Sequence, residues 1–244
     1  WVSDVNQDAL QTLASTLNVN VSVSNDAVIN EVDVVVLAVK PQTLRTVAEN
    51  SAALVQARQA LVVSIAAGIS QASLSRWLGD KVSIVRCMPK TPALVLTSAT
   101  ALHANPNVSE EQRDLAENIL RAVGISLWVN DEKELDAVTA VSGSGPAYYF
   151  LLMESMEKAA IEMGLSKETA RLLIQQTALG AAKIALESSE SPEQLRNRVT
   201  SPGGTTQRAI ETFEQGDFVQ LVSKALHAAK ERSIEMSKQL GEDE

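Results

Sequence analysis

"VDVVVLAVKPQ", Val32–Gln42, sets the fold. Three consecutive valines at 34–36 are stiff at χ1 and suit an extended, pleated backbone. The run is apolar without alternation, as expected of a strand buried on both faces of a parallel sheet. Pro41 then suits the first turn of a helix, where its missing N–H costs nothing. The stretch reads as a strand ending at Val39 and feeding directly into a helix.

The same pattern recurs on either side. "ALVVSIAA" (Ala60–Ala67), "VSIVRCM" (Val82–Met88) and "ISLWV" (Ile125–Val129) are further short apolar runs. Helical periodicity fills Asp8–Leu17, Pro41–Ala57 and Gln71–Leu78. Ser109 and Gln112 in "SEEQ" have the spacing of a capping box that opens another helix. Strands alternating with helices predict a parallel sheet with helices on both faces. From Glu132 onward only helical spacing remains, in Ala147–Met163, Lys167–Glu187 and Val219–Leu240. The stretch "TALGAAKIAL" carries small residues that let helices approach closely. The expected organisation is an α/β domain over 1–130 and a helical domain over 131–244.

Composition narrows the function. Of 244 residues 45% are hydrophobic, enough for a sizeable core. No apolar run approaches the roughly 20 residues that span a bilayer, so no membrane partner is expected. A net charge of -9 argues against a nucleic-acid partner, which favours a basic face. Cys87 is the single cysteine, so no intrachain disulfide forms, in keeping with a cytoplasmic protein. One cysteine and two histidines, far apart in sequence, give no ligand spacing for a metal site.

Four stretches are candidates for chemistry. Parallel sheets bind ligands beyond the carboxyl ends of their strands. Ala38, Val39, Lys40 and Pro41 lie at one such end and Ile65, Ala66 and Ala67 at another. Small side chains there would admit a flat ligand, or both are plain βα turns. "WVSDVN" reads as a strand ending at Asp4. A carboxylate there would bind the ribose hydroxyls of a dinucleotide and favour NAD over NADP, while Asp4 or Asn6 could equally cap the next helix. "SGSGPAYYF" (Ser142–Phe150) makes a tight glycine loop before a helix, either a hinge or the rim of a cleft. "VTSPGGTTQRAI" (Val199–Ile210) breaks one helix and starts another. Its new N-terminus, with amides at Gly203, Gly204, Thr205 and Thr206, would receive an anion such as a small carboxylate. It is otherwise a capped helix break. The phosphate fingerprint G-x-G-x-x-G is missing from the sequence. It belongs one βα unit before Asp4, so about thirty residues are expected to precede Trp1.

Taken together, "LAVKPQ", "SIAAG", "RCMPKTPAL", "VSGSGPAY" and "SPGGTT" resemble the pyrroline-5-carboxylate reductases, in that order and from Trp1 to about Met236. The resemblance implies a Rossmann-type domain whose first strand and Gly-rich loop lie upstream of Trp1, followed by an all-helical dimerisation domain. It implies hydride transfer from NADPH or NADH to the C=N bond of Δ1-pyrroline-5-carboxylate, giving L-proline. Asn25 would contact the adenosine half of the cofactor; Ala38–Pro41 and Ile65–Ala67 would flank its nicotinamide side. The substrate carboxylate would rest on Gly203–Thr206, with Ser201 and Ser142 in the substrate site and the Thr206 hydroxyl on the ring nitrogen. An intertwined homodimer, with dimers assembling into a larger ring, and a site completed by the partner's "SPGGTT" are implied as well.

This chemistry needs no metal or covalent nucleophile, because the cofactor carries the hard step. Two residues depart from the family pattern. Lys90 in "MPKTP" stands where the family usually has asparagine, either as a cation beside the nicotinamide pocket or as a solvent-facing change. Ser189 lacks the carboxylate that some relatives carry nearby. The β-hydroxyacid dehydrogenases share the two-domain plan, but neither Lys158 nor Lys183 sits in their catalytic lysine motif.

Overall fold

A computed structural model describes residues 1–241. The α/β part opens with β1 (Val2–Ser3), α1 (Gln7–Thr16), β2 (Val21–Ser22) and α2 (Asn25–Ile29). It continues through β3 (Val34–Leu37), α3 (Pro41–Arg58), β4 (Leu61–Ser64), α4 (Gln71–Leu78) and β5 (Ile84–Cys87). Then come β6 (Ser98–Ala104), α5 (Glu110–Arg121), β7 (Gly124–Trp128) and α6 (Glu134–Val138). The helical part comprises α7 (Gly145–Glu162), α8 (Lys167–Glu187), α9 (Pro192–Arg198), α10 (Thr205–Gln215) and α11 (Phe218–Gly241).

The strands form a five-stranded sheet in the order β3-β4-β5-β6-β7 and a separate parallel pair, β1 with β2. Every pairing is parallel except β5 with β6, where Val85 opposes Ala104. The exception has a physical cause. Residues 88–97 joining β5 to β6 hold only a short 3-10 turn, Thr91–Val95. A parallel crossover needs a dozen or more residues, usually with a helix. Strand β6 is absent from the sequence reading, and it corrects the expectation of a wholly parallel sheet.

Alternation along the central strand β4 divides the core. Val62 packs with Leu44, Val55, Leu74 and Leu78 of α3 and α4 on one face. Leu61 and Val63 pack with Ala116 and Leu120 of α5 on the other. Helices thus cover both faces, as the unalternating strands require. At one edge, β3 pairs only with β4 among the described residues, and Val36 is 46% exposed. An uncovered apolar edge of this kind is a site for strand addition.

The chain divides into two compact units, Trp1–Gly143 with the stretch from Ala229 on, and Ser144–Ala228. The first compact unit runs past the expected division at 130/131 as far as Gly143, and the end of α11 returns to it. Two contacts hold it there. The Ser233 hydroxyl donates to Asp136 Oδ1 at 2.7 Å, and Leu240 packs against the cluster under α3 and α4. The second unit has a thin core: its buried hydrophobic residues are Ala160, Ala170 and Ile174.

Candidate functional site

The register of β3, β4 and β5 brings their carboxyl ends level. Leu37 pairs with Ser64, and Ser64 with Arg86. The Ile65 amide donates to Leu37 O at 3.3 Å, so the chain stays extended just past the ladder. Beyond the ends lie Ala38, exposed, Val39, Ile65 and Ala67, half-buried, and Ala66, buried. Two of the predicted clusters therefore meet in one place and form a flat apolar shelf. Pro41 is the first residue of α3, and the exposed Lys40 precedes it as a cap whose side chain makes no capping bond. The Lys40 carbonyl accepts both the Thr43 amide and the Thr43 hydroxyl at 3.0 Å.

A second cluster lies at the ends of β1 and β2. Asp4 follows β1, and its Oδ1 accepts the Asn6 amide at 2.8 Å. Asn6, not Asp4, caps α1, accepting from the amides of Asp8 and Ala9. The Ser3 hydroxyl donates to Asn25 Oδ1 at 2.7 Å, which ties the end of β1 to the start of α2. Asp4 and Asn25 thus flank one exposed corner. These two clusters suit the two ends of a dinucleotide: acceptors for ribose hydroxyls at β1 and β2, and a shelf for a flat ring at β3–β5.

The glycine turn takes the expected form. Gly203 has φ +72°, a left-handed conformation that favours glycine. Gly204 is the N-cap of α10, with no side-chain capping bond. Two amides of the expected anion nest are spent inside the turn: Gly203 N–H donates to Gln207 Oε1 at 2.6 Å, and Gly204 N–H to Ser201 O at 3.0 Å. The amides of Thr205, Thr206 and Gln207 make no hydrogen bond among the described residues, nor do the Thr205 and Thr206 hydroxyls. Ser201 is exposed and Thr206 half-buried. Ser142 belongs to the other unit. It lies in a π-helical turn, Thr139–Gly143, and its hydroxyl donates to Val138 O at 3.1 Å.

The structure excludes the solvent-facing reading of Lys90 and adds an ion pair and two cavities that escaped the sequence reading. Lys90 is buried, 7% exposed, and does not face solvent. Its amide donates to Ser98 Oγ at 3.2 Å, and Ser98 is hydrogen-bonded in turn to Thr100. Its ammonium has no hydrogen-bond partner among the described residues. Burial lowers its pKa to about 8. Arg86 pairs with Glu132, whose Oε1 also accepts the Gln71 amide at 2.6 Å. That carboxylate fastens β5 to the start of α4. Beside it, Ala67, Cys87, Thr139 and Ser233 line a cavity of about 10 Å³, room for one water. A larger groove, about 380 Å³ between α7 and α8, contains none of the predicted site residues.

A curated protein from Pseudomonas aeruginosa, named pyrroline-5-carboxylate reductase, is 50% identical over 240 residues, 98% of this chain and 88% of the relative. The chain belongs to the pyrroline-5-carboxylate reductase family. A relative of the same name from Haemophilus influenzae is 44% identical over 96% of this chain and 86% of its own. The family model described as pyrroline-5-carboxylate reductase dimerisation matches residues 132–236. One described as NADP oxidoreductase, coenzyme F420-dependent, matches 1–68. Among solved structures, a pyrroline-5-carboxylate reductase from Coxiella burnetii superposes with a TM-score of 0.94 at 45% identity, covering 97% of this chain and 88% of that one. The Plasmodium falciparum enzyme, solved with NADP bound, gives 0.83 at 29% identity and covers 96% of each chain.

Among the described residues, no helix is long and apolar enough to cross a membrane. Nor is any group of three His, Cys, Asp or Glu placed to hold a metal.

Proposed function

We propose that this chain reduces Δ1-pyrroline-5-carboxylate to L-proline, the final step of proline biosynthesis, with NADPH or NADH as reductant. The observation that carries the reading is identity of 50% along almost the whole chain to a relative of that name. The shelf at β3–β5 and the acceptor corner at β1 and β2 support it independently.

A bound nicotinamide cofactor supplies the hydride. Ala38–Pro41 and Ile65–Ala67 would hold its ring flat. Asp4 and Asn25 would hold its adenosine ribose, and the Asp4 carboxylate would oppose a 2′-phosphate. At the N-terminus of α10, the Thr205 and Thr206 amides point outward with the positive end of the helix dipole, a setting that suits a carboxylate. In this reading the amides at 205–206 bind the substrate's carboxylate more than those of Gly203 and Gly204, which the turn already uses. The Thr206 hydroxyl would meet the ring nitrogen, and Ser201 and Ser142 would complete the substrate contacts. A strand taking the free edges of both β1 and β3 would give the order 3-2-1-4-5-6 of a dinucleotide-binding sheet.

The second unit leaves Phe150 64%, Leu172 67% and Leu186 84% exposed, far more apolar surface than a monomer usually carries. The reading is therefore a homodimer through α7–α11, with dimers assembling into a larger ring, at work in the cytoplasm without a metal. The test is oxidation of NADPH and of NADH on adding Δ1-pyrroline-5-carboxylate to the natural-length protein. Turnover with either supports the assignment. No turnover from correctly assembled oligomers overturns it.

A further inference from the structure

Lys90 presents a chemical anomaly. It is buried, yet its ammonium has no acceptor among the described residues. Buried charges are otherwise paired or hydrogen-bonded. Its position is built rather than accidental. The backbone is pinned by the buried hydroxyls of Ser98 and Thr100 on β6. The side chain runs to Gly143, where a methyl group in place of the glycine hydrogen would sit 2.9 Å from the ammonium. A side chain at 143 would have to displace the end of Lys90.

The location ties this charge to the shelf. Lys90 lies three residues past the end of β5, and its charge acts on Cys87, whose thiol approaches Ser64 O at 3.6 Å. Ser64 closes β4 directly before Ile65–Ala67. We propose that Lys90 sets the balance between oxidised and reduced nicotinamide cofactor on this shelf, acting through its field as a positioning charge. This inference rests on the cofactor reading above.

The physics has a fixed sign. An oxidised nicotinamide ring carries a positive charge and a reduced ring carries none. A nearby unpaired ammonium therefore disfavours the oxidised form and leaves the reduced form almost untouched. The oxidised product is expelled more readily than the reductant. At a separation of about 10 Å and an effective dielectric of about 20, one unit charge changes an affinity by roughly tenfold.

The charge can be removed by pH. Burial holds the Lys90 pKa near 8, so the amine loses its proton between about pH 7 and 9. The groups around it do not confuse the titration. Cys87 stays a neutral thiol because burial pushes it up to about 12. Ser98 and Thr100 on β6, and Thr139 and Gly143 on the π-helical turn, do not ionise in this range.

The experiment measures dissociation constants of NADP⁺ and NADPH, and of NAD⁺ and NADH, from pH 6.5 to 9.5 on the natural full-length protein. The ratio of oxidised to reduced constants cancels everything that acts on the shared adenosine half. In the wild type this ratio falls roughly tenfold as pH rises through about 8. In Lys90→Asn and Lys90→Met it is low and flat, and in Lys90→Arg it stays high at every pH. Asparagine and methionine are used together so that a fold defect in one does not decide the result. By linkage, binding of the oxidised cofactor near pH 7.5 also releases protons to buffer, and the Asn and Met variants lose that release. A wild-type ratio flat with pH, or unchanged by both neutral variants, overturns the proposal while leaving the cofactor site standing. Failure of the wild type to bind either form overturns both.

Discussion

Replacing Thr206 by alanine separates the chemistry of the glycine turn from its architecture. Thr206 is the second residue of α10, and its hydroxyl makes no hydrogen bond among the described residues. It is not the cap, which is Gly204. Alanine gains up to about 0.7 kcal/mol in helix propensity. The half-buried methyl group it removes costs about 0.8 kcal/mol at most. Stability is therefore expected to change by less than about 1 kcal/mol. If the hydroxyl meets the ring nitrogen of the substrate, the variant loses one bond worth about 1 kcal/mol to a neutral partner and about 1.5–3 kcal/mol to a charged one. At about 1.4 kcal/mol per factor of ten, kcat/KM for the imine falls roughly 10- to 100-fold. The assay is steady-state NADPH oxidation with varied Δ1-pyrroline-5-carboxylate, alongside thermal unfolding and NADPH binding. Unchanged imine reduction refutes the role. An equal loss in cofactor affinity, or a stability loss above about 2 kcal/mol, refutes the reasoning that produced it.

Further outcomes are expected. Asp4→Ser removes the carboxylate opposing a 2′-phosphate and is expected to raise the NADPH-to-NADH ratio of kcat/KM about tenfold; an unchanged ratio counts against the ribose contact. Glu132→Ala strips the acceptor from both Arg86 and the Gln71 amide. The cost of breaking a buried pair, about 3–5 kcal/mol, is discounted to about 2 because Glu132 is partly solvated, its side chain 28% exposed. At fixed protomer concentration Tm drops by about 4–8 °C, and a shift under about 1 °C would show the pair to be incidental. The protein sediments as a dimer or larger at micromolar concentration, and a stable monomer would contradict the reading of the exposed helical faces.

The strands that build the shelf were legible because their chemistry is extreme. Val34–Leu37, Leu61–Ser64 and Ile84–Cys87 all fall inside the β-branched runs read as strands. Helix α4 matched its expected bounds, Gln71–Leu78, where Ser70 caps it and Gly79 ends it. Strand β6 was hidden because "SATALHA" is built from alanine and small hydroxyl residues of weak strand preference. What makes it a strand is its place between β5 and β7, which no local window contains. The same blind spot left Lys90 open between a pocket cation and a solvent-facing change. The hydroxyls that pin its backbone stand on that unread strand, and lysine by itself argues for exposure. The glycine turn showed its shape in sequence but not its internal wiring, since Gln207 reaches back to Gly203 only in the folded loop. The corner at Asp4 was read as either a cap or a ligand contact; Asn6 takes the cap and leaves Asp4 available.

Helix α11 starts in one compact unit and finishes in the other. The polypeptide therefore enters the helical unit at Ser144 and leaves it near Ala228, which makes that unit an insertion into the α/β unit rather than an appendix to it. A protease cutting in the exposed Ser201–Gly203 turn would sever the chain without freeing either half. The carboxyl-terminal fragment would keep the Ser233–Asp136 bond to the first unit and its own helices in the second. The α/β unit cannot be cloned as one uninterrupted stretch that is also complete, whereas the helical unit is continuous in sequence. A gene fragment ending before Ala229 encodes an α/β unit stripped of the helix end that packs against Gly68.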